Sequence, residues 1–197
     1  NIADILIVGG TTVGSRVAGL CRDMLIYFLF GMSMYNSAFL FAFTLPNLFR
    51  RLLGEGALTS ALIPVLSAEL ENKGRSAFFA LINKVASRVL LVLVALTFVG
   101  CSVLLSMDAF LELEPRWHLA FKLGALLFPY AFLVCLSAVC GGALNNLGRF
   151  GTVAMTPIVL NVCMITSLGF AGFWLGLDKL GTVLWLCGGV LVGGFLQ

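Results

Sequence analysis

The chain has 197 residues, 60% of them hydrophobic and 11% charged, with a mean hydropathy of +1.07 and a net charge of +3. A soluble domain of this length carries about twice that share of charge, so the composition marks an integral membrane protein, and the small positive surplus gives no case for nucleic acid. His118 is the only histidine, and the cysteines (Cys21, Cys101, Cys135, Cys140, Cys163 and Cys187) form no CxxC pair; a His-based metal cluster or catalytic triad is excluded, and the thiols read as buried small hydrophobes.

The first predicted span, Ile2–Phe30, is apolar except for Arg16, Arg22, Asp23 and a few small polar residues. Arg16, Gly19 and Asp23 lie at i, i+3 and i+7, on one helical stripe, and Ser15, Gly19 and Arg22 lie on its neighbour. A narrow polar sector on a membrane helix is expected to face the bundle interior. Arg22 and Asp23 are adjacent, so they point about 100° apart, and one of them is expected to pair with another helix.

The second span, Asn36–Glu69, is too long for one straight crossing and is interrupted. Its centre reads LPNLFRRLLGEGALTSALIPVL, Leu45–Leu66. Pro46 kinks the helix before the arginines, and Gly54 and Gly56 weaken it after them. Irregular backbone at that depth must face protein or a water-filled cavity. Asn47, Arg51 and Glu55 are spaced i, i+4 and i+8, so Arg51 can bridge to Glu55. Arg50 points elsewhere, with no acid at helical spacing, and fits an anion brought from another helix or a ligand.

Glu69–Arg75 reads as a charged loop, and the third span as Ala77–Met107. Asp108–His118 reads as an acidic loop with Trp117 as an interface anchor. The fourth span is Leu119–Leu144, kinked at Pro129; Asn145–Phe150 is a polar turn; the fifth span is Val153–Leu175. After the GLDK turn the sixth span, Leu180–Gln197, carries Gly189-x3-Gly193, a close-packing pattern. The Lys/Arg bias of the loops favours a cytoplasmic N-terminus and cytoplasmic even-numbered loops. The start at Asn1 and the stop at Gln197 inside an apolar run read as a piece of a longer protein.

There is no Walker-type phosphate loop and no carboxylate cluster of the kind a membrane metalloenzyme needs, so the sequence predicts neither an enzyme nor a cofactor or metal site. What it does offer is four arginines, Arg16, Arg22, Arg50 and Arg51, in the first two spans. Guanidinium groups bind phosphate in a bidentate fashion and stay charged when desolvated. Clustered in membrane helices, they suit an amphiphile whose phosphate head enters a polar cavity while its tails stay in lipid.

The segments SRVAGLCRD (Ser15–Asp23), LPNLFRRLLGEGALTSALIPVL (Leu45–Leu66), LFPY (Leu127–Tyr130), GGALNNLGRF (Gly141–Phe150) and PIVLNVCMI (Pro157–Ile165) occur in this order. Together they resemble the MurJ/MviN family of lipid II flippases, within the multidrug/oligosaccharidyl-lipid/polysaccharide exporter superfamily. The resemblance implies an all-α integral membrane protein, with residues 1–197 as a six-helix bundle forming the N-terminal lobe of a MATE-like, two-lobed transporter whose C-terminal lobe lies outside this chain. It further implies alternating access in a bacterial cytoplasmic membrane and a role in peptidoglycan biosynthesis. The partner would be lipid II, the lipid-linked peptidoglycan precursor. Family arginines matching Arg16, Arg22 and Arg50 line a cationic cavity, and Asp23, Arg51 and Glu55 match charged family positions. With Asn47 these form the expected substrate-binding set. Where the family often carries an acid before the Ala-Phe of its second helix, this chain has Ser37. A related exporter of another polyprenyl-diphosphate-linked saccharide, or a non-transporting scaffold, is the alternative.

Overall fold

The computed structural model describes residues 2–51 and 58–197. Its helices are α1 (Ile2–Phe30), α2 (Met34–Phe49), α3 (Leu58–Phe110), α4 (Pro115–Asn146), α5 (Phe150–Gly169) and α6 (Lys179–Leu196), with a π-helical turn at Phe170–Trp174 closing α5. The protein is an all-α membrane bundle. Among the described residues, four stretches are long and apolar enough to cross a membrane: Pro64–Phe110, Pro115–Asn146, Gly151–Trp174 and Lys179–Leu196. With 16 residues, α2 is shorter than the ~20 a crossing needs. α1 has the length but carries Arg16, Arg22 and Asp23.

Local chemistry sets the ends of these helices. Gly31, at φ +57°, takes the left-handed conformation that turns α1 into α2. Pro115 stands at the start of α4, where a missing N–H costs nothing. Asp178 caps α6 by accepting a hydrogen bond from the Gly181 N–H at 2.9 Å.

The charged segment Glu69–Arg75 is helical rather than a loop. Lys73 and Glu69 pair across one turn at 3.0 Å and support it, and only Gly74, at φ +79°, leaves the helical region. A straight helix of 53 residues would run about 80 Å, far beyond a bilayer, so a break here is required. The acidic loop after α3 is also shorter than its composition implies. Asp108 still belongs to α3, and Trp117 and His118 already belong to α4. His118 Nδ1 lies 2.7 Å from Asp108 Oδ1, and Lys122 also faces that carboxylate, which ties the two helix ends together. Trp117 packs edge-on against Phe41 at 5.4 Å, and Arg116 lies over its ring.

α4 is the central helix, packed against α2, α3 and α6, while α1 packs mainly on α5 and α5 on α6. Phe30, Phe39, Tyr130, Met164 and Leu186 are fully buried where these helices meet. Cys135 and Cys187 are buried as expected, but Cys21 and Cys140 lie on the surface of the bundle. An apolar thiol is as compatible with lipid as with a core.

Glycines set how closely the helices approach. Gly100 leaves room for the Phe128 ring against α3. On α6, a Cβ at Gly189 would fall 2.6 Å from the Ser167 Cβ and 3.0 Å from the Cys163 carbonyl, and one at Gly193 would fall 3.0 Å from Leu160. The small-residue pattern of α6 therefore forms its contact with α5. Gly188, next in sequence, has nothing within 4 Å of such a Cβ. Gly189→Ala is expected to destabilise the bundle by about 1–3 kcal/mol through overpacking, with Gly188→Ala near neutral. Thermal unfolding of the two purified variants checks this; equal melting temperatures would refute the assignment.

Candidate functional site

A cavity of about 860 Å³ opens between α2, α4 and α5, with Arg22 of α1 and Gln197 at its margin. On α2 it is lined at positions 43, 44, 47 and 48, which is one helical face, and Arg50 and Arg51 line it directly after the helix. On α4 the lining runs through Ser137, Gly141 and Asn145, spaced four apart. On α5 it includes Thr156 and Asn161.

The arginines reach this cavity because α2 gives way before them. Pro46 is buried inside the helix and has no N–H to donate. The chain then widens into π-type geometry at Arg50 and Arg51, a local loosening often found at functional sites. Asn47 Nδ2 donates back to the Phe43 carbonyl at 2.9 Å, and Asn47 lines the cavity. Arg50 is partly buried and Arg51 exposed.

Arg22 is held from two sides. Its Nε and one terminal nitrogen donate to Asp23 Oδ1 at 2.9 and 2.8 Å, and its other terminal nitrogen donates to Asn161 Oδ1 at 2.8 Å. Asn161 is buried, and its amide nitrogen donates to the Ser15 carbonyl at 3.3 Å. The expected separation of Arg22 from Asp23 is thus not observed. The arginine side chain is long enough to fold back onto its neighbour, and it reaches a second helix as well. Asp23 is half exposed, so this pair adds little stability. It fixes the direction of the guanidinium.

The structure brings Arg22, Asn47, Arg50 and Arg51 to one cavity. Arg16 is exposed on α1 and Asp23 largely so; neither lines it. Glu55, the expected partner of Arg51, lies outside the described residues. Sequence reasoning missed Asn161, Thr156, Ser137 and Asn145. Asn161 carried a usable signal, as a lone amide inside the apolar run PIVLNVCMI. Among the described residues no group of three or more His, Cys, Asp or Glu is placed to hold a metal.

A family profile described as "Lipid II flippase MurJ" matches residues 26–197. The chain belongs to the MurJ family. A probable lipid II flippase MurJ of Rhizobium tropici is 34% identical over 100% of this chain and 38% of its own length. The lipid II flippase MurJ of Burkholderia cenocepacia is 34% identical over 98% of this chain, again 38% of the relative. A solved lipid II flippase MurJ in an inward closed conformation superposes with a TM-score of 0.78 at 26% identity, covering 97% of this chain and 40% of that one. The chain thus spans less than half the length of these MurJ proteins.

The Arg22–Asn161 contact has a measurable consequence. In Asn161→Asp a second carboxylate would hold Arg22 and compete with any anion for it. Binding of inorganic diphosphate to the full-length protein, followed by calorimetry, is expected to weaken about tenfold, or ~1.4 kcal/mol. Unchanged binding would remove Arg22 from the anion-facing set.

Proposed function

We propose that the longer protein containing this chain is a lipid II flippase of the bacterial cytoplasmic membrane, with its N-terminus cytoplasmic. The helices described above form one lobe of a two-lobed, alternating-access transporter. The single observation that carries this reading is the convergence of Arg22, Arg50 and Arg51 on one cavity in a membrane bundle of the MurJ family.

The chemistry follows from charge. Each charge at membrane depth costs ~2.5–3.5 kcal/mol or more, and arginines sharing a hollow also repel one another. A diphosphate relieves both costs, since each guanidinium offers a planar fork to its oxygens. Arg22, Arg50 and Arg51 bind the diphosphate, Asn47 adds a neutral amide, and Asp23 orients Arg22. Binding is therefore ionic and reversible, as transport requires, with no bond made or broken.

In the full-length protein, Arg50→Ala or Arg22→Ala is expected to abolish translocation of lipid II with little loss of folded protein. Arg50→Lys should keep partial activity, because the charge remains but the bidentate fork is lost. Translocation assays in vesicles, with complementation in a depletion strain, check this; normal activity of both alanine variants would reject the site.

A further inference from the structure

The cavity is several times larger than two linked phosphates, and at about 860 Å³ it falls in the range that encloses a drug-sized ligand. Its charged lining residues are all arginines, from α1 and α2, whereas α4 and α5 present only neutral groups. Three of these are Ser137 and Asn145 on α4 and Thr156 on α5. Ser and Thr inside helices commonly bond back to the preceding turn. Thr44 does so to the Leu40 carbonyl at 2.7 Å, Ser87 to Asn83 at 2.7 Å and Thr166 to Val162 at 2.9 Å. Among the described residues, Ser137, Asn145 and Thr156 make no side-chain hydrogen bond, although each lines the cavity. Gly142 beside them has open space where a Cβ would stand.

We infer that this α4–α5 wall is a saccharide subsite, in which Ser137, Asn145 and Thr156 hydrogen-bond the sugar attached directly to the diphosphate. The inference rests on the anion-binding reading of the arginines. Its logic is positional: in a diphosphate-linked saccharide the first sugar is one oxygen away from phosphate, so an anion on the α2 arginines places that sugar against the opposite wall. A sugar is neutral and rich in hydroxyl donors and acceptors, which is what hydroxyl and amide side chains recognise. A carboxylate or ammonium group would find no counter-charge on that wall.

The test uses the full-length protein and two probes, a polyprenyl diphosphate and the same lipid carrying one N-acetylhexosamine on its diphosphate. The double variant Ser137→Ala/Thr156→Val removes two hydroxyls with almost no change of volume, and Asn145→Ala provides an independent second variant. Each is expected to bind the sugar-bearing lipid about tenfold more weakly and the bare diphosphate lipid unchanged. Equal loss for both lipids, or loss for neither, would overturn the subsite. Arg50→Ala reports on the anion reading separately: it should lower binding of the bare diphosphate lipid, and if it does not, that reading fails whatever the hydroxyl variants show.

Discussion

Guanidinium groups do not give up their charge in a protein, and this bundle holds three of them around one hollow between apolar helices. Most of what is unusual in the structure follows from that constraint. The positive charge must meet water, an anion or a fixed acceptor, because hydrocarbon offers none. Arg22 takes fixed acceptors from Asp23 and Asn161. Arg22, Arg50 and Arg51 all border an open volume large enough for a ligand head group.

That volume exists because the helices are divided. α2 packs on α4 and α1 on α5, and α4 and α5 meet less closely. Where the two pairs part, α4 presents Gly141 and Gly142 rather than bulky side chains. At the same level α2 loses its regular hydrogen bonding at Pro46 and widens at the arginines. On the other flank the opposite tactic holds: Gly189 and Gly193 draw α6 into tight contact with α5. A firm α5–α6 pair beside a loosened α2 suits a site that must be both charged and accessible.

Much of this was legible beforehand. Apolar run length placed the helices, because a bilayer demands that length and little else. Pro46 announced the weak point of α2, and three of the four arginines singled out in the first two spans come to line one cavity. The charged stretch after the arginines was only partly legible: Glu69–Arg75 looks like a loop by composition, yet it is helical, with Lys73 and Glu69 paired across one turn, and the chain breaks there only at Gly74. Charge density reports on solvent exposure, not on backbone conformation. The pairing of Arg22 with its own neighbour was hidden for a related reason: Cβ directions follow from helical periodicity, but the reach of a long flexible side chain does not.

The sequence by itself determined that this is a helical membrane protein with arginines placed in its opening spans, because hydropathy and residue type are local properties. Only the tertiary structure decided which of those arginines share a cavity, that Arg16 stands outside it, and that Asn161, Ser137, Asn145 and Thr156 complete its walls. Those facts depend on the rotation and crossing of helices distant in the chain, set by the fit of glycines and aromatic rings, and no spacing within one helix encodes them.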